Sequence, residues 1–341
     1  MRAASWPRER PSDERLLHLD LRTGALRDGR VADLPSLLRA GDLLVVNDAA
    51  TLPASLKART EAGEELEVRL AGMSGDSEFR AVLFGAGDWR TPTEHRPAPP
   101  RIAPGARIRF SQELHAVVAP VEGASSERLV RLRFDLDGDA LWRALYRHGR
   151  PVQYSYAEGP LALYHVQTAY AARPWAVEEP SAGRPFSFAL LLALRRRGVQ
   201  LAWLTHAAGL SSTGDAALDA ALPLPERYEI PAATVRAIAH ARAAGGCVIA
   251  VGTSVARALE GAAAKNGGDL RPGGGETELL LGPGFRRRVV NGLYTGMHDA
   301  GGSHYELLQA FAGREVIERA YAHAEAGGYL CHEFGDSSLM V

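Results

Sequence analysis

Three textures of apolar and polar residues follow one another along the chain. Residues 42–48 read Asp-Leu-Leu-Val-Val-Asn-Asp, an apolar run closed by two polar side chains. Such a run fits a strand buried on both faces whose last residues emerge at a site. Beyond Leu52 the pattern alternates: residues 65–70 read Glu-Leu-Glu-Val-Arg-Leu, 107–110 read Arg-Ile-Arg-Phe, and 128–134 read Arg-Leu-Val-Arg-Leu-Arg-Phe. Period two predicts strands with one wet face. The Gly- and Pro-rich turns between them, 92–104 above all, make a small antiparallel β-barrel the expected arrangement.

Beyond residue 150 strands alternate with helices. Ser187 can cap a helix over 188–197, with Arg195, Arg196 and Arg197 at its negative end and Gly198 as the stop. Residues 199–205 then read as a strand that delivers His206, and Pro231 opens a helix running towards Gly245. The apolar strand 247–251 is followed by Gly252-Thr253-Ser254 and a helix through Arg257 and Glu260. Further strands are expected at 277–281 and 289–294, and further helices at 305–312 and 315–326. Alternating strands and helices imply a layered α/β architecture with a largely parallel sheet. The expected organisation is an α/β sandwich domain made of 1–52 and 153–341, interrupted by an inserted antiparallel β-barrel domain at 53–152.

Length and charge narrow the picture only a little. A chain of 341 residues fits two domains. With 39 Lys and Arg against 40 Asp and Glu the net charge is −1, which argues against broad electrostatic binding of nucleic acid. Local basic clusters remain at 195–197 and 286–288. Two cysteines, Cys247 and Cys331, make neither a disulfide framework nor a four-cysteine zinc site. The longest apolar run, 188–194, falls far below the roughly 18 residues of a spanning helix. Residues 1–10 hold charges without an apolar signal core. A cytoplasmic monomer without membrane contact is the expectation.

In open α/β sheets, ligands bind at the carboxyl ends of the strands. Three such ends carry polar or small residues: Asn47-Asp48, Thr205-His206 and Gly252-Thr253-Ser254. The last sets N–H groups and hydroxyls at a helix N-terminus, suited to a carboxylate or phosphate and equally to an ordinary cap. Asp48 fits a general base or a ligand of a ribose hydroxyl, and equally a turn cap through its own backbone. Ser181-Ala182-Gly183 permits close backbone approach by a ligand and also has the composition of a plain loop. His298 and His304, six residues apart, share no helix face and lack a completing carboxylate motif, so no metal is expected. Cys247, within its apolar strand, reads as a small buried hydrophobe. The sequence contains no phosphate-binding loop, no complete dinucleotide fingerprint and no nucleophile elbow.

A family resemblance takes the reading further. Its residues are Arg15-Leu16-Leu17, Gly41-Asp42-Leu43-Leu44-Val45-Val46-Asn47-Asp48, Leu52-Pro53-Ala54-Ser55-Leu56 and Gln167-Thr168-Ala169-Tyr170-Ala171. Pro180-Ser181-Ala182-Gly183 with Phe186, Val251-Gly252-Thr253-Ser254 with Arg257, and Leu259-Glu260 continue it. Gly282-Pro283-Gly284-Phe285, Val289-Val290-Asn291-Gly292-Leu293, Thr295, His298, Ala310-Phe311-Ala312-Gly313-Arg314-Glu315 and Phe334-Gly335-Asp336 complete it. In this order, over nearly the whole chain, they resemble the S-adenosylmethionine:tRNA ribosyltransferase-isomerase family of the queuosine pathway. The resemblance implies an α/β sandwich with an inserted β-barrel. It also implies S-adenosylmethionine as co-substrate and tRNA as acceptor. The ribosyl unit would be rearranged and attached to the aminomethyl group of 7-aminomethyl-7-deazaguanine, giving epoxyqueuosine and releasing adenine and methionine. Such a reaction needs a base beside the sulfonium, a proton donor for adenine, and recognition of the methionine carboxylate and ammonium. By resemblance Asp48, His206 and His298 are catalytic. Asn47, Ser181, Ala182, Gly183, Phe186, Gly209, Gly252, Thr253, Ser254 and Arg257 bind substrate, and no metal takes part.

The departures from the family pattern lie in loops. Pro185 stands where the family carries a histidine, and His206-Ala207-Ala208-Gly209-Leu210-Ser211-Ser212 is a loosened form of another family segment. Gly296 and Met297 precede His298, and Asp299 and Ala300 follow it, in place of the family's Asn-Phe and Leu-Pro. A proline cannot replace an imidazole in proton transfer. This keeps a second reading open: a paralogue using S-adenosylmethionine on a small molecule without tRNA, or a non-catalytic descendant that binds RNA or protein.

Overall fold

The computed structural model describes residues 1–300 and 302–341. Six strands close into a barrel: Ser55–Thr60, Glu65–Met73, Glu78–Phe84, Arg107–Arg109, His115–Pro120 and Leu129–Phe134. Every neighbouring pair is antiparallel. Alternation sets the faces: in Leu129–Phe134, Leu132 and Phe134 join the barrel core while Arg131 and Arg133 are exposed. One strand departs from the expectation of a wet face. Glu67 and Arg69 are only 4% and 1% exposed, because Glu67 accepts hydrogen bonds from Arg69 Nε at 2.8 Å and from Arg96. Burial pushes the Glu67 carboxyl up, but the two guanidinium groups outweigh it and hold it below the usual carboxylate range. An unexpected helix, Gly138–His148, lays Leu141, Ala144 and Leu145 on the barrel core.

The larger sheet has nine strands in the order Gly273–Thr277, Glu226–Ile230, Gln200–His206, Leu43–Asn47, Val248–Val251, Gly292–Gly296, Ser337–Met340, Arg15–Leu19, Leu26–Arg30. It is mixed rather than largely parallel. The run from Gln200–His206 through Gly292–Gly296 is parallel, whereas Glu226–Ile230 and Ser337–Met340 pair antiparallel with their inner neighbours. Parallel neighbours need long crossovers; residues 207–225, which lead into Glu226–Ile230, hold only the short helix Ala216–Ala220 and return the chain alongside. The strand expected at 277–281 lies at Gly273–Thr277, where glycines offer no side-chain pattern and backbone pairing with Glu226–Ile230 defines the strand. The strand expected at 289–294 begins at Gly292.

Helices cover both faces of the parallel strands. Leu43 and Val45 pack with Ile238 and Ala241 of the helix Ala232–Ala243 and with Val255 and Leu259 of the helix Thr253–Lys265. Leu44 and Val46 point the other way, onto Leu190, Leu191 and Leu194 of the helix Phe188–Arg196. Each fully buried Leu or Val stabilises this sandwich by about 1.5–3 kcal/mol. Ser187 Oγ accepts the N–H of Leu190 at 3.2 Å, capping the Phe188–Arg196 helix. The packing fixes the strand ends from which the site is built.

Candidate functional site

A cleft of about 420 Å³ opens at the carboxyl ends of the parallel strands, a size suited to a small molecule. Of the residues given catalytic or substrate-binding roles by the resemblance, Ser181, Ala182, Gly209, Gly252, Thr253, Ser254, Arg257 and His298 line it. The others lie behind it. Asn47 ties two strand ends together: its Nδ2 donates to the His206 carbonyl at 2.9 Å, and its Oδ1 accepts the N–H groups of His206 at 2.9 Å and Ala49 at 3.1 Å. Asp48 accepts the Thr205 hydroxyl at 2.6 Å; burial raises its pKa against that bond. Gly183 closes the turn Ser181–Gly183, where an added Cβ would fall 2.3 Å from the Tyr170 hydroxyl. Phe186 is fully buried, edge-on to Tyr294 at 4.9 Å.

Glu226, which the sequence reading passed over, organises one side of the cleft. Arg257 Nη2 donates to its Oε2, Gly209 N–H donates to its Oε1 at 2.7 Å, and His206 Nε2 lies 3.3 Å from Oε2. Burial pushes this carboxyl up, but His206 and Arg257 outweigh burial and leave it below its ordinary range. His206 is fully buried beneath it and acts on the cleft through Glu226.

Three histidines also line the cleft: His298, His304 and His332. His298 Nε2 pairs with Thr295 Oγ1 at 2.9 Å, and its backbone N–H donates to the Tyr321 hydroxyl at 3.1 Å. Burial, then the neighbouring His304 and His332, hold its imidazole well below the usual pKa. It is therefore neutral near pH 7, and the same surroundings oppose its protonation. His304 Nδ1 meets Thr253 Oγ1 at 3.2 Å, and burial with nearby Arg257 lowers its pKa as well. The rings of His298 and His304 are 5.0 Å apart, so side chains that share no helix face do share a cleft.

Carboxyl groups supply a third wall, from Glu178, Glu179 and Glu333. Tyr154 donates to Glu178, and Ser211 N–H reaches the same carboxyl at 2.9 Å. Glu333 is pushed up to about 8 by burial, with Glu178 and Glu179 adding to the rise. Glu178-Glu179 stands immediately before the Pro180-Ser181 motif, the one sequence signal that could have flagged this wall. Among the described residues, Asp299, Cys331 and His332 are grouped closely enough to hold a metal ion. They are joined to one another, His332 Nε2 lying 2.9 Å from Asp299 Oδ2 and the Cys331 thiol 3.5 Å from Asp299 Oδ1. Burial and Asp299 push that thiol up to about 11.

Known proteins match this chain along its length. A family profile described as Queuosine biosynthesis protein covers residues 1–340. The S-adenosylmethionine:tRNA ribosyltransferase-isomerase of Azoarcus sp. (strain BH72) is 37% identical, covering 99% of this chain and 93% of that protein. The protein of the same name from Acidithiobacillus ferrooxidans is 37% identical over 99% of this chain and 94% of its own length. Among solved structures, the S-adenosylmethionine tRNA ribosyltransferase from Thermotoga maritima shares the fold, with a TM-score of 0.54 at 23% identity over 99% of this chain and 96% of that one. The match over residues 1–340, together with relatives of this identity and coverage, shows that the chain belongs to the queuosine biosynthesis protein family.

Proposed function

We propose that this chain transfers and isomerises the ribosyl unit of S-adenosylmethionine onto the aminomethyl group of 7-aminomethyl-7-deazaguanine in tRNA, with release of adenine and methionine. The names of its relatives support the reading. One observation about the cleft carries it: a neutral imidazole and a neutral carboxyl stand on adjoining segments. His332 N–H donates to the Met297 carbonyl at 3.1 Å, which joins the segment that carries His298 to the one that carries Glu333, and both side chains line the cleft. His298 takes the proton beside the sulfonium, steadied by Thr295. Glu333 holds a proton up to about 8 and gives it to the departing adenine. Arg257, Gly209 and His206 gather on Glu226 and fix the far wall, while Asn47 and Asp48 set the strand ends behind it.

The second reading, a paralogue acting without tRNA, rests on Pro185 and on the altered segments after His206 and around His298. Pro185 is buried and lies off the cleft lining, whereas Gly209, Ser211, Gly296, Met297 and Asp299 of the other two segments line it. We further assign residues 53–152 to the inserted barrel unit and place the chain in the cytoplasm as a monomer. No helix among the described residues is long and apolar enough to cross a membrane. The test is one incubation of pure protein with S-adenosylmethionine, with and without tRNA carrying the 7-aminomethyl-7-deazaguanine base. Adenine and methionine release that requires this tRNA, with a mass gain on the RNA, is the expected result. Consumption of S-adenosylmethionine without tRNA would instead establish the paralogue. Sedimentation equilibrium should read the mass of a single chain; a dimer mass would contradict the monomer.

A further inference from the structure

Glu179 differs from every other carboxyl of the cleft in having nothing to bond. Its side chain is 1% exposed, and neither Oε1 nor Oε2 has a hydrogen-bond partner. Its nearest cation is Arg184, whose Nε stands 3.9 Å away, beyond hydrogen-bond distance and itself without a partner, while Arg184 Nη2 donates to Glu14 at 2.9 Å and to the Glu333 carbonyl at 3.0 Å. Glu178 has Tyr154 and Ser211, and Tyr156 faces Glu333. A buried carboxylate without donors is costly, so it either keeps a proton or meets a cation. Burial pushes Glu179 up to about 8, Arg184 countering only in part and Glu14 adding to the rise. Because Glu179 lines the cleft, the missing donor can come from a ligand.

A helix N-terminus lines the same cleft. The helix Thr253–Lys265 starts at Gly252, which has no side chain to cap the first-turn N–H groups. A Cβ built on Gly252 would stand 3.4 Å from the Ala182 Cβ, so this helix end abuts the turn that follows Glu179 and Pro180. A free carboxylate on one wall and a helix N-terminus on the next match a group bearing an ammonium and a carboxylate on one carbon.

We propose that Glu179 binds a primary ammonium of the substrate, that of the methionyl head group of S-adenosylmethionine, while the N-terminus of the helix Thr253–Lys265 takes the carboxylate of the same head group. This deepens the reading above and rests on it. The aminomethyl group of the acceptor base is also a primary ammonium, and the experiment separates the two sources.

The test titrates S-adenosylmethionine, without tRNA, into the full chain and into Glu179→Gln, and repeats both with the sulfonium analogue whose α-ammonium is replaced by hydrogen. The wild type should prefer S-adenosylmethionine by about 10- to 100-fold, the range for a hydrogen bond to a charged group. The E179Q chain should lose that preference while binding the analogue as the wild type does. A wild type that binds both ligands equally, or an E179Q chain that keeps the preference, overturns the proposal. Unchanged S-adenosylmethionine affinity in E179Q with a raised KM for tRNA would also overturn it, assigning Glu179 to the acceptor instead. A wild type that does not bind S-adenosylmethionine at all overturns the parent reading as well. Should E179Q fail to fold, Glu179→Asp, which keeps the charge but draws it back by one methylene, takes its place: it should bind the analogue as the wild type does and lose most of the preference for S-adenosylmethionine, and a preference kept in full overturns the proposal. Arg184, Glu14, Glu178, Glu333 and Tyr170 are the charged and titratable groups around that carboxyl.

Discussion

Arg257 Nη2 lies 2.5 Å from Glu226 Oε2 in a buried ion pair that ties the helix Thr253–Lys265 to the strand Glu226–Ile230 beside the cleft. The same carboxylate receives Gly209 N–H at 2.7 Å and stands 3.3 Å from His206 Nε2. Breaking a buried pair by removing one partner leaves the other charge uncompensated. Glu226→Ala should therefore destabilise the chain by about 3–5 kcal/mol. Adding Arg257→Met should recover part of that loss, because the stranded cation goes with it. Urea unfolding of both single variants and the double variant checks this; strictly additive losses would show that the two side chains do not act as a unit.

The sequence made some of this arrangement visible and hid the rest for identifiable reasons. The strand Leu43–Asn47 and the helices Phe188–Arg196 and Thr253–Lys265 declare themselves through local signals: an apolar run, Ser187 as cap, Gly252 as entry. Glu226 sends no such signal. Its strand reads Glu-Arg-Tyr-Glu-Ile, and its burial depends on His206 and Arg257, which come from other elements. The helix Gly138–His148 hides for a related reason, its apolar positions Leu141, Ala144 and Leu145 following an alternating strand. Glu67 and Arg69 look wet by alternation and are dry because Arg96, far along the chain, closes over them. Long-range charge pairing has no period, and it built most of the cleft wall that motif reading missed.

The pH dependence of stability follows from the same buried charges. Glu14, Glu179 and Glu333 keep protons up to about 7, 8 and 8 in the folded chain, against ordinary values of 4.5. Between these limits the folded state binds more protons, so their contribution is full below 4.5 and is lost as pH rises through the folded values. His298 and His304, lowered from 6.5, act oppositely, and their effect is complete above 6.5. From pH 6.5 to 8 the carboxyls act alone in this comparison, each by at most about 1.4 kcal/mol per pH unit. The melting temperature of the ligand-free protein should fall across that interval, and less steeply in Glu179→Gln. A wild type that gains stability there, or a variant with the same slope, would contradict the assignment.

His298 should matter to rate and not to affinity. His298→Gln keeps a polar group near Thr295 but cannot act as the base, so kcat should drop by about 10²- to 10⁴-fold. S-adenosylmethionine binding, read by titration, should be unchanged. Because the imidazole pKa lies well below 6.5, wild-type turnover should hold level down to that pH and decline only in more acid solution. Wild-type turnover in the variant would remove His298 from the chemistry.

Gly252 has a backbone that only glycine adopts without strain, φ +95° and ψ 151°. Space is not the obstacle to a side chain there, since a Cβ would meet Ala182 at 3.4 Å and Ser254 at 3.5 Å, ordinary contacts. The strain of φ is the obstacle, and a non-glycine residue held in such a region costs of order 1–3 kcal/mol. Gly252→Ala should lose that much stability, or relieve it by turning the peptide planes that lead into the helix Thr253–Lys265. In the second case its first-turn N–H groups no longer aim together, and binding of S-adenosylmethionine should weaken by about tenfold or more. Gly245 separates strain from function. It also has a positive φ, +74°, with nothing within 4 Å of an added Cβ, and Gly245→Ala should cost about 1–2 kcal/mol while leaving affinity untouched. Thermal melts and titrations on the two variants measure both quantities. If Gly252→Ala melts like the wild type, so that the strain has been relieved by turning the peptide planes, and still binds S-adenosylmethionine as tightly, the helix N-terminus does not touch the ligand, and the carboxylate must be held elsewhere in the cleft.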